Sequence, residues 1–342
     1  MIKRGVGMAT MMYPMDPSGS ANSTAVYVRM NYDGTVVVYT GTTDVGQGSD
    51  TFLAQIAGET LGVGMDDIRV ISSDTLYTPF DEGTGSSRVM FIVGRGVKDA
   101  CEVARKRLLE AAALKLGLPK AANLHTREGE IFYDTYPDIR TTVKEAASYA
   151  QMVLGAPIQG EATYTTISTV PREEDGHALI FEKHIFATHI AEVEVDIDTG
   201  IVRVTKYVAV TDCGRTVNPL LLEGQQEGGV GQGIGYALME QMLEDSENAK
   251  LVTYTFADYH IPTVCDMPEV LITDSVDIPD TDGAYGAKGA SEPASVPVAP
   301  AIANAIADAI GVLFDTLPIT PEKVLFALME KEKVLSGSKR NQ

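Results

Sequence analysis

No tryptophan occurs in this chain of 342 residues, and its three cysteines and five histidines are scattered. Cys101, Cys213 and Cys265 form no CxxC pair, so the chain by itself builds neither a zinc ribbon nor an iron–sulfur cluster, and all three are expected to be buried thiols. His184 and His189 stand five apart, which suits neither one helix face nor one strand face for chelation. Any metal is therefore expected to be held by something other than this chain's side chains. Positive charge is scarce as well: 27 Lys and Arg against 47 Asp and Glu give a net charge of -20. That field opposes a nucleic-acid or anionic-membrane partner. No run approaches the apolar length of a membrane span, and Met1-Ile2-Lys3-Arg4 leads into glycine and polar residues, so no span is expected and the cytoplasm is the expected location.

What is present is a large apolar fraction, 44% of residues, enough for one large domain or two ordinary ones. Residues 25–30 and 35–40 alternate about an Asp33-Gly34 turn, which predicts a hairpin. The hairpin runs into GTTDVGQGSDT, residues 41–51, where Gly46 and Gly48 bracket Gln47 ahead of a helix. A glycine loop before a helix offers unpaired N–H groups to an anion, or is only a tight connection. A predicted strand over 68–72 precedes a second loop with Gly83, Thr84, Gly85, Ser86, Ser87 and Arg88, whose small and hydroxylated residues suit phosphate or pterin atoms. A long amphipathic helix follows through Ala111.

The pattern weakens over 121–162, which places a boundary there and divides the chain into 1–162, 163–335 and a tail of 336–342. A second hairpin is predicted over 191–197 and 201–210, so each half reads as a hairpin, a glycine-bearing loop and a helix. The run Gly229, Gly231, Gly233, Gly235 has the wrong spacing for a dinucleotide fingerprint and is expected to let a buried helix pack closely, with Gln225 or Gln226 turned to a ligand. The stretch GAYGAKGASEP, residues 283–293, lets backbone run hard against a ligand and sets Glu292 between Ser291 and Pro293. Glu292 either caps the apolar helix that follows or serves as a general base.

Four segments, GTTDVGQGSDTFLAQIAGETLGV, GTGSSR, DCGRTVNPLLLEGQQEGG and GAKGASEP, resemble in content and order the molybdenum-binding part of the xanthine dehydrogenase and aldehyde oxidase family, the molybdenum hydroxylases. The resemblance implies an α+β fold of two similar subdomains, with mixed or antiparallel sheets and packed helices. It implies that Glu292 is the catalytic base and that Gln47 with Gly46 and Gly48, residues Thr84 to Arg88, Gln225, Lys288 and Gly289 bind cofactor; a surface or capping lysine is the other reading of Lys288. An earlier glycine–phenylalanine loop and the substrate-pocket residues of the large family subunit are absent, and size and starting point are similar to the medium molybdopterin subunit of the nicotinate dehydrogenase branch. That branch implies molybdopterin cytosine dinucleotide with sulfur or selenium as the terminal ligand on molybdenum. It also implies a large molybdopterin subunit, an iron–sulfur subunit with [2Fe-2S], an FAD subunit and a small N-heterocyclic substrate. The same chemistry on a purine or an aldehyde, and a non-catalytic cofactor-binding subunit, are the other readings. A buried, glycine-lined setting is expected to raise the pKa of Glu292.

Overall fold

The chain opens on an extended strand, β1 (Ile2–Pro14), with Gly5 and Gly7 buried and Arg4, Val6 and Met8 turned outward. In the computed structural model, residues 1–15, 22–166, 172–178 and 183–338 are described. The expected hairpin is β2 (Ser23–Met30) and β3 (Val36–Thr40), with Val26, Val28, Val36 and Val38 buried on one face. Gly48, in the left-handed region, turns the chain into α1 (Ser49–Leu61), which Gly62 closes in the same conformation. Then β4 (Ile68–Ser72) lies parallel to β3 and leads through a π turn over 89–93 to α2 (Gly94–Lys115). A small side sheet of β5 (Leu124–Arg127), β6 (Glu130–Tyr133) and β7 (Arg140–Thr142) precedes α3 (Val143–Met152), capped by the Thr142 hydroxyl accepting from Glu145 N–H. The first half closes with β8 (Gln159–Thr165).

The second half repeats this order. β9 (His184–Asp196) and β10 (Val202–Asp212) form a hairpin, α4 (Pro219–Leu238) follows, and β11 (Val270–Ser275) lies parallel to β10. Two further helices, α5 (Val298–Ile310) and α6 (Pro321–Ser338), complete the fold. One sheet has the order β4-β3-β2-β8 and the other β11-β10-β9-β1. Corresponding strands occupy corresponding places, but the outer strand of the second sheet comes from the start of the chain. A cut at 162 therefore does not follow the pairing: it splits β8 and leaves β1 apart from its partner β9. The sequence reading assigns no element to this glycine-bearing start, and pairing with β9 is what makes it a strand. Helix α6 also runs past Leu335 through Ser338, where the sequence reading begins a tail; residues 339–342 lie outside the described residues.

Each outer strand meets its covering helix by the same device. A β-carbon on Gly160 of β8 would stand 2.0 Å from the Ala100 carbonyl oxygen of α2, and one on Gly7 of β1 would stand 2.2 Å from that of Ala301 on α5. Backbone thus packs on backbone in both layers. Gly229 and Gly233 admit Ala294 and Val298 against α4 in the same way, as the small-residue run leads one to expect. The stretch Glu292–Ile310 is apolar and long enough to cross a membrane, but its buried side, including Ile302 and Ile306, packs in the second core. Cys101 and Cys213 are buried; Cys265 is exposed, against expectation, on a single helical turn, Val264–Asp266, that buries none of its side chains.

His189 is fully buried on β9, its Nδ1 3.0 Å from the Tyr207 hydroxyl, and burial lowers its pKa to about 4. The unfolded chain takes up this proton at a higher pH than the folded one, so stability is complete above about pH 6.5 and falls as pH drops toward 4. Urea unfolding is expected to show a loss of roughly 3 kcal/mol across that window, flattened in His189→Gln. Gly160→Val is expected to destabilise by about 3 kcal/mol or more, whereas Gly228→Ala, where a β-carbon meets open space, stabilises by about 0.5 kcal/mol.

Candidate functional site

Loops from both halves end on one cavity of about 280 Å³. In the first loop the Asp44 carboxylate accepts from Gly46 N–H at 2.9 Å, Gly48 N–H at 3.3 Å and Asp50 N–H at 3.2 Å. Burial pushes its pKa up, but these backbone donors outweigh burial and hold it below the usual carboxylate range. Gln47 lines the cavity, yet its Oε1 accepts from Val45 N–H at 2.7 Å and its Nε2 donates to the Thr43 carbonyl at 3.1 Å. Its carboxamide thus shapes the loop that carries it. Gly48 takes a φ of 81°, which favours glycine, and its open α-carbon lies against the end of the Leu221 side chain of α4.

The second loop is tied to the first by Thr84, whose hydroxyl accepts from Thr43 N–H at 3.0 Å and donates to the Thr43 carbonyl at 2.6 Å. Thr84, Gly85 and Ser87 line the cavity, while Ser86 turns instead to the Tyr13 hydroxyl. Arg88, expected at the cofactor, is not on the cavity. It is buried, with Nη1 2.7 Å from Asp81 Oδ1 and from the Gly83 carbonyl, and Nε 2.6 Å from Asn22 Oδ1. A buried guanidinium must be paired and hydrogen-bonded, so this one fixes the loop from behind.

In the third loop Asn218 caps α4, its side chain accepting from Leu221 N–H at 3.0 Å and donating to Gln55 Oε1 of α1, also at 3.0 Å. Leu221 in the first turn of α4 lies against Gly48 at the start of α1, so both N-terminal turns border the cavity, the first already capped by the Asp44 carboxylate and the second by the Asn218 side chain. The structure separates the two glutamines left open by the sequence: Gln226 is buried and donates to the Asp274 carbonyl, whereas Gln225 lines the cavity. Burial pushes the Cys213 thiol up, which removes it as a nucleophile. Arg215 was not singled out by sequence. It lines the cavity, and its guanidinium has no side-chain or backbone acceptor among the described residues. Its signal was a lone arginine in a loop leading to a helix N-terminus, in an acidic chain.

The fourth loop brings Glu292 to the cavity rim. Ser87 Oγ donates to Glu292 Oε2 at 2.8 Å and accepts from Glu292 N–H at 3.2 Å. The carboxylate also takes a hydrogen bond from Tyr13 at the end of β1; burial first, then the charge and hydrogen bond of Glu292, raise the Tyr13 pKa. Glu292 does not cap the following helix, which begins at Val298. Its side chain is exposed, so the buried setting expected for it is not present. Gly289 runs against protein: a β-carbon would stand 1.9 Å from the Ser87 carbonyl oxygen. Lys288 is no surface lysine. Only 9% exposed, it donates to Asp212 Oδ2 at 2.8 Å and to the His184 carbonyl at 3.2 Å.

Gly46, Gly83 and Gly85 have open space where a β-carbon would stand, and of the three Gly85 lines the cavity. With Arg215, Gln225, the Thr84 and Ser87 loop and the N-terminal turn of α4, this donor set fits a phosphorylated organic group rich in hydrogen-bonding atoms. Among the described residues no three His, Cys, Asp or Glu side chains gather as metal ligands. Fold and cavity together define a scaffold that grips a large anionic cofactor between two repeated units. The model of the molybdopterin cofactor-binding domain matches residues 1–268, and the chain belongs to this family.

The chain is 34% identical over 329 residues to a xanthine dehydrogenase molybdenum-binding subunit of Escherichia coli O157:H7, covering 94% of this chain and 42% of that one. It is 32% identical over 305 residues to the nicotine 6-hydroxylase large subunit of Paenarthrobacter nicotinovorans, covering 88% and 36%. The crystal structure of quinoline 2-oxidoreductase from Pseudomonas putida 86 superposes with a TM-score of 0.84 at 27% identity, covering 96% of this chain and 42% of that one. The chain thus spans less than half the length of these relatives. Arg215→Ala is expected to lower bound pterin about tenfold, the loss of one charge-assisted contact, measured as phosphate and pterin released from purified protein.

Proposed function

We propose that this chain is the medium molybdopterin subunit of a split molybdenum hydroxylase, supplying the general base that works on an N-heterocyclic substrate. The observation that carries this reading is the carboxylate of Glu292, held at the rim of the cofactor-binding cavity by Ser87 and Tyr13. Such a group is fixed in direction and open to a reactant, as a base must be. The bound cofactor, read here as molybdopterin cytosine dinucleotide with terminal sulfur or selenium, supplies the metal centre and takes up the substrate's electrons. Arg215 and the N-terminal turn of α4 hold its phosphates, Gln225 orients the pterin, and Thr84 to Ser87 offer backbone and hydroxyl donors. Glu292 accepts a proton at its Oε atoms while Ser87 keeps the carboxylate aimed.

Nicotinate is the substrate proposed, giving 6-hydroxynicotinate with oxygen from water. Similarity to a nicotine hydroxylase, a xanthine dehydrogenase and a quinoline oxidoreductase supports an aromatic ring containing nitrogen. An aldehyde oxidoreductase of Megalodesulfovibrio gigas, 33% identical over 329 residues, favours an aldehyde as the second reading. Electrons are proposed to pass to [2Fe-2S] and FAD on separate subunits, and a large molybdopterin subunit supplies the rest of the substrate pocket.

Metal analysis of the purified complex for Mo and Se, with turnover of nicotinate, xanthine and an aldehyde, tests this reading; turnover of the aldehyde alone would overturn it. Glu292→Gln is expected to keep molybdenum content and lower turnover by about two to four decades. Ser87→Ala, which frees the carboxylate without removing it, is expected to lower turnover about tenfold.

A further inference from the structure

The two sheets repeat each other, but their outer faces do not. Across the first, one row in register reads Glu161, Tyr27, Tyr39 and Ile71, and the next reads Gln159, Arg29, Val37 and Arg69. Across the second, the row Met8, Ile190, Val208 and Ile272 is apolar on every strand. Met8 is 56% exposed, Ile190 37% and Ile272 45%. Farther along, Met12 pairs with Phe186, and both are exposed. At about 4.8 Å between strands the row runs roughly 15 Å. The opposite face of this sheet is already covered by α4 and α5.

A sheet face turned to water ordinarily carries polar side chains, and a contiguous apolar patch with a polar rim marks a protein contact. The rim charges here answer one another, Arg4 with Glu194 at 2.7 Å and Lys206 with Glu192 at 3.5 Å. Between Met8–Ile272 and Met12–Phe186 the row Thr10, Thr188, Val210 and Asp274 adds one exposed carboxylate, so the face offers a partner apolar side chains broken by a few polar ones and not a uniform field.

We propose that this face is where the large molybdopterin subunit docks, the separate polypeptide that corresponds to the part of the relatives' length beyond this chain. This rests on the reading of the chain as one of two molybdopterin subunits. Two observations select that occupant. The chain spans 42% and 36% of two relatives, so in each of them more than half of the length remains to pack against this part. The face is also continuous with the cavity: Lys288, which lines it, holds its Nζ 6.0 Å from the ring centroid of Phe186. A polypeptide seated on the row and on Phe186 comes up to Lys288 at the cavity.

The test uses the complete enzyme, co-expressed with its partner subunits. Ile190→Glu combined with Ile272→Glu is expected to reduce recovery of the large subunit with this chain at least tenfold, whereas Tyr27→Glu on the twin face leaves it unchanged. A photo-reactive benzophenone amino acid placed at Ile190 in the assembled enzyme is expected to give an adduct with the large subunit, a readout that does not depend on how the charged variants fold. An adduct with a second copy of this chain, with the iron–sulfur or flavin subunit, or with nothing overturns the proposal. Formation of the expected adduct in a complex that carries no molybdopterin, or that leaves every N-heterocycle unchanged, defeats the functional reading and leaves the docking surface standing.

Discussion

One hydroxyl joins the two halves of the site. Ser87 Oγ donates to the Glu292 carboxylate and accepts from the Glu292 backbone N–H, so both the position and the direction of the acid are set by a residue 205 positions away. That double contact demands close approach. Ser87 adopts a φ of 50°, which an L-residue rarely holds without surrounding support, and Gly289 must carry no β-carbon because the Ser87 carbonyl oxygen occupies its place. The two loops therefore fit as a pair, and much of the glycine in the fourth loop serves protein–protein packing within the chain. Gly46, Gly83 and Gly85 meet open space instead, and the first two take φ of 108° and 101°, which their turns require of glycine.

The repeat explains why the loops meet. In each unit a hairpin leads through a loop to a helix, and the next strand returns parallel to the hairpin's second strand. Each unit thus presents a helix N-terminus beside a strand end, and Gly48 at the start of α1 lies against Leu221 in the first turn of α4. The Asp44 carboxylate already satisfies the N-terminus of α1, so of the two positive poles that of α4 is the one left to an external anion. The small cluster of Met15, Phe91, Ile92 and Ile185 seals the junction, joining the end of β1 and the start of β9 to the π turn of the first unit.

Legibility in the sequence followed the range of the interaction. The hairpins, α1, α2 and the close-packed α4 were readable because alternation, helical spacing and glycine stops act within a few residues. So were the four loops and Glu292, whose residue types carry their chemistry locally. β1 was not, since a strand of small residues is defined by its partner β9, which lies some 180 positions on. The fate of Arg88 was equally hidden: a loop arginine reads as a phosphate ligand until Asp81 and Asn22 are seen to enclose it. Tyr13 reaches Glu292 only because β1 joins the second sheet, and Gln225 and Gln226 were separable only once α4 had a buried side.

Scarcity of positive charge makes its placement informative. With 27 basic side chains against 47 acidic ones, the ordinary use of a lysine or arginine would be to relieve surface repulsion. Two are instead buried beside the cofactor loops, Arg88 on Asp81 behind the second and Lys288 on Asp212 beside the fourth. A buried pair offers little net stability over apolar packing, but removing one partner strands a charge and costs about 3–5 kcal/mol. Such pairs hold geometry more than they hold the fold. With these two cations paired to carboxylates, Arg215 is left lining the cavity without a protein acceptor among the described residues.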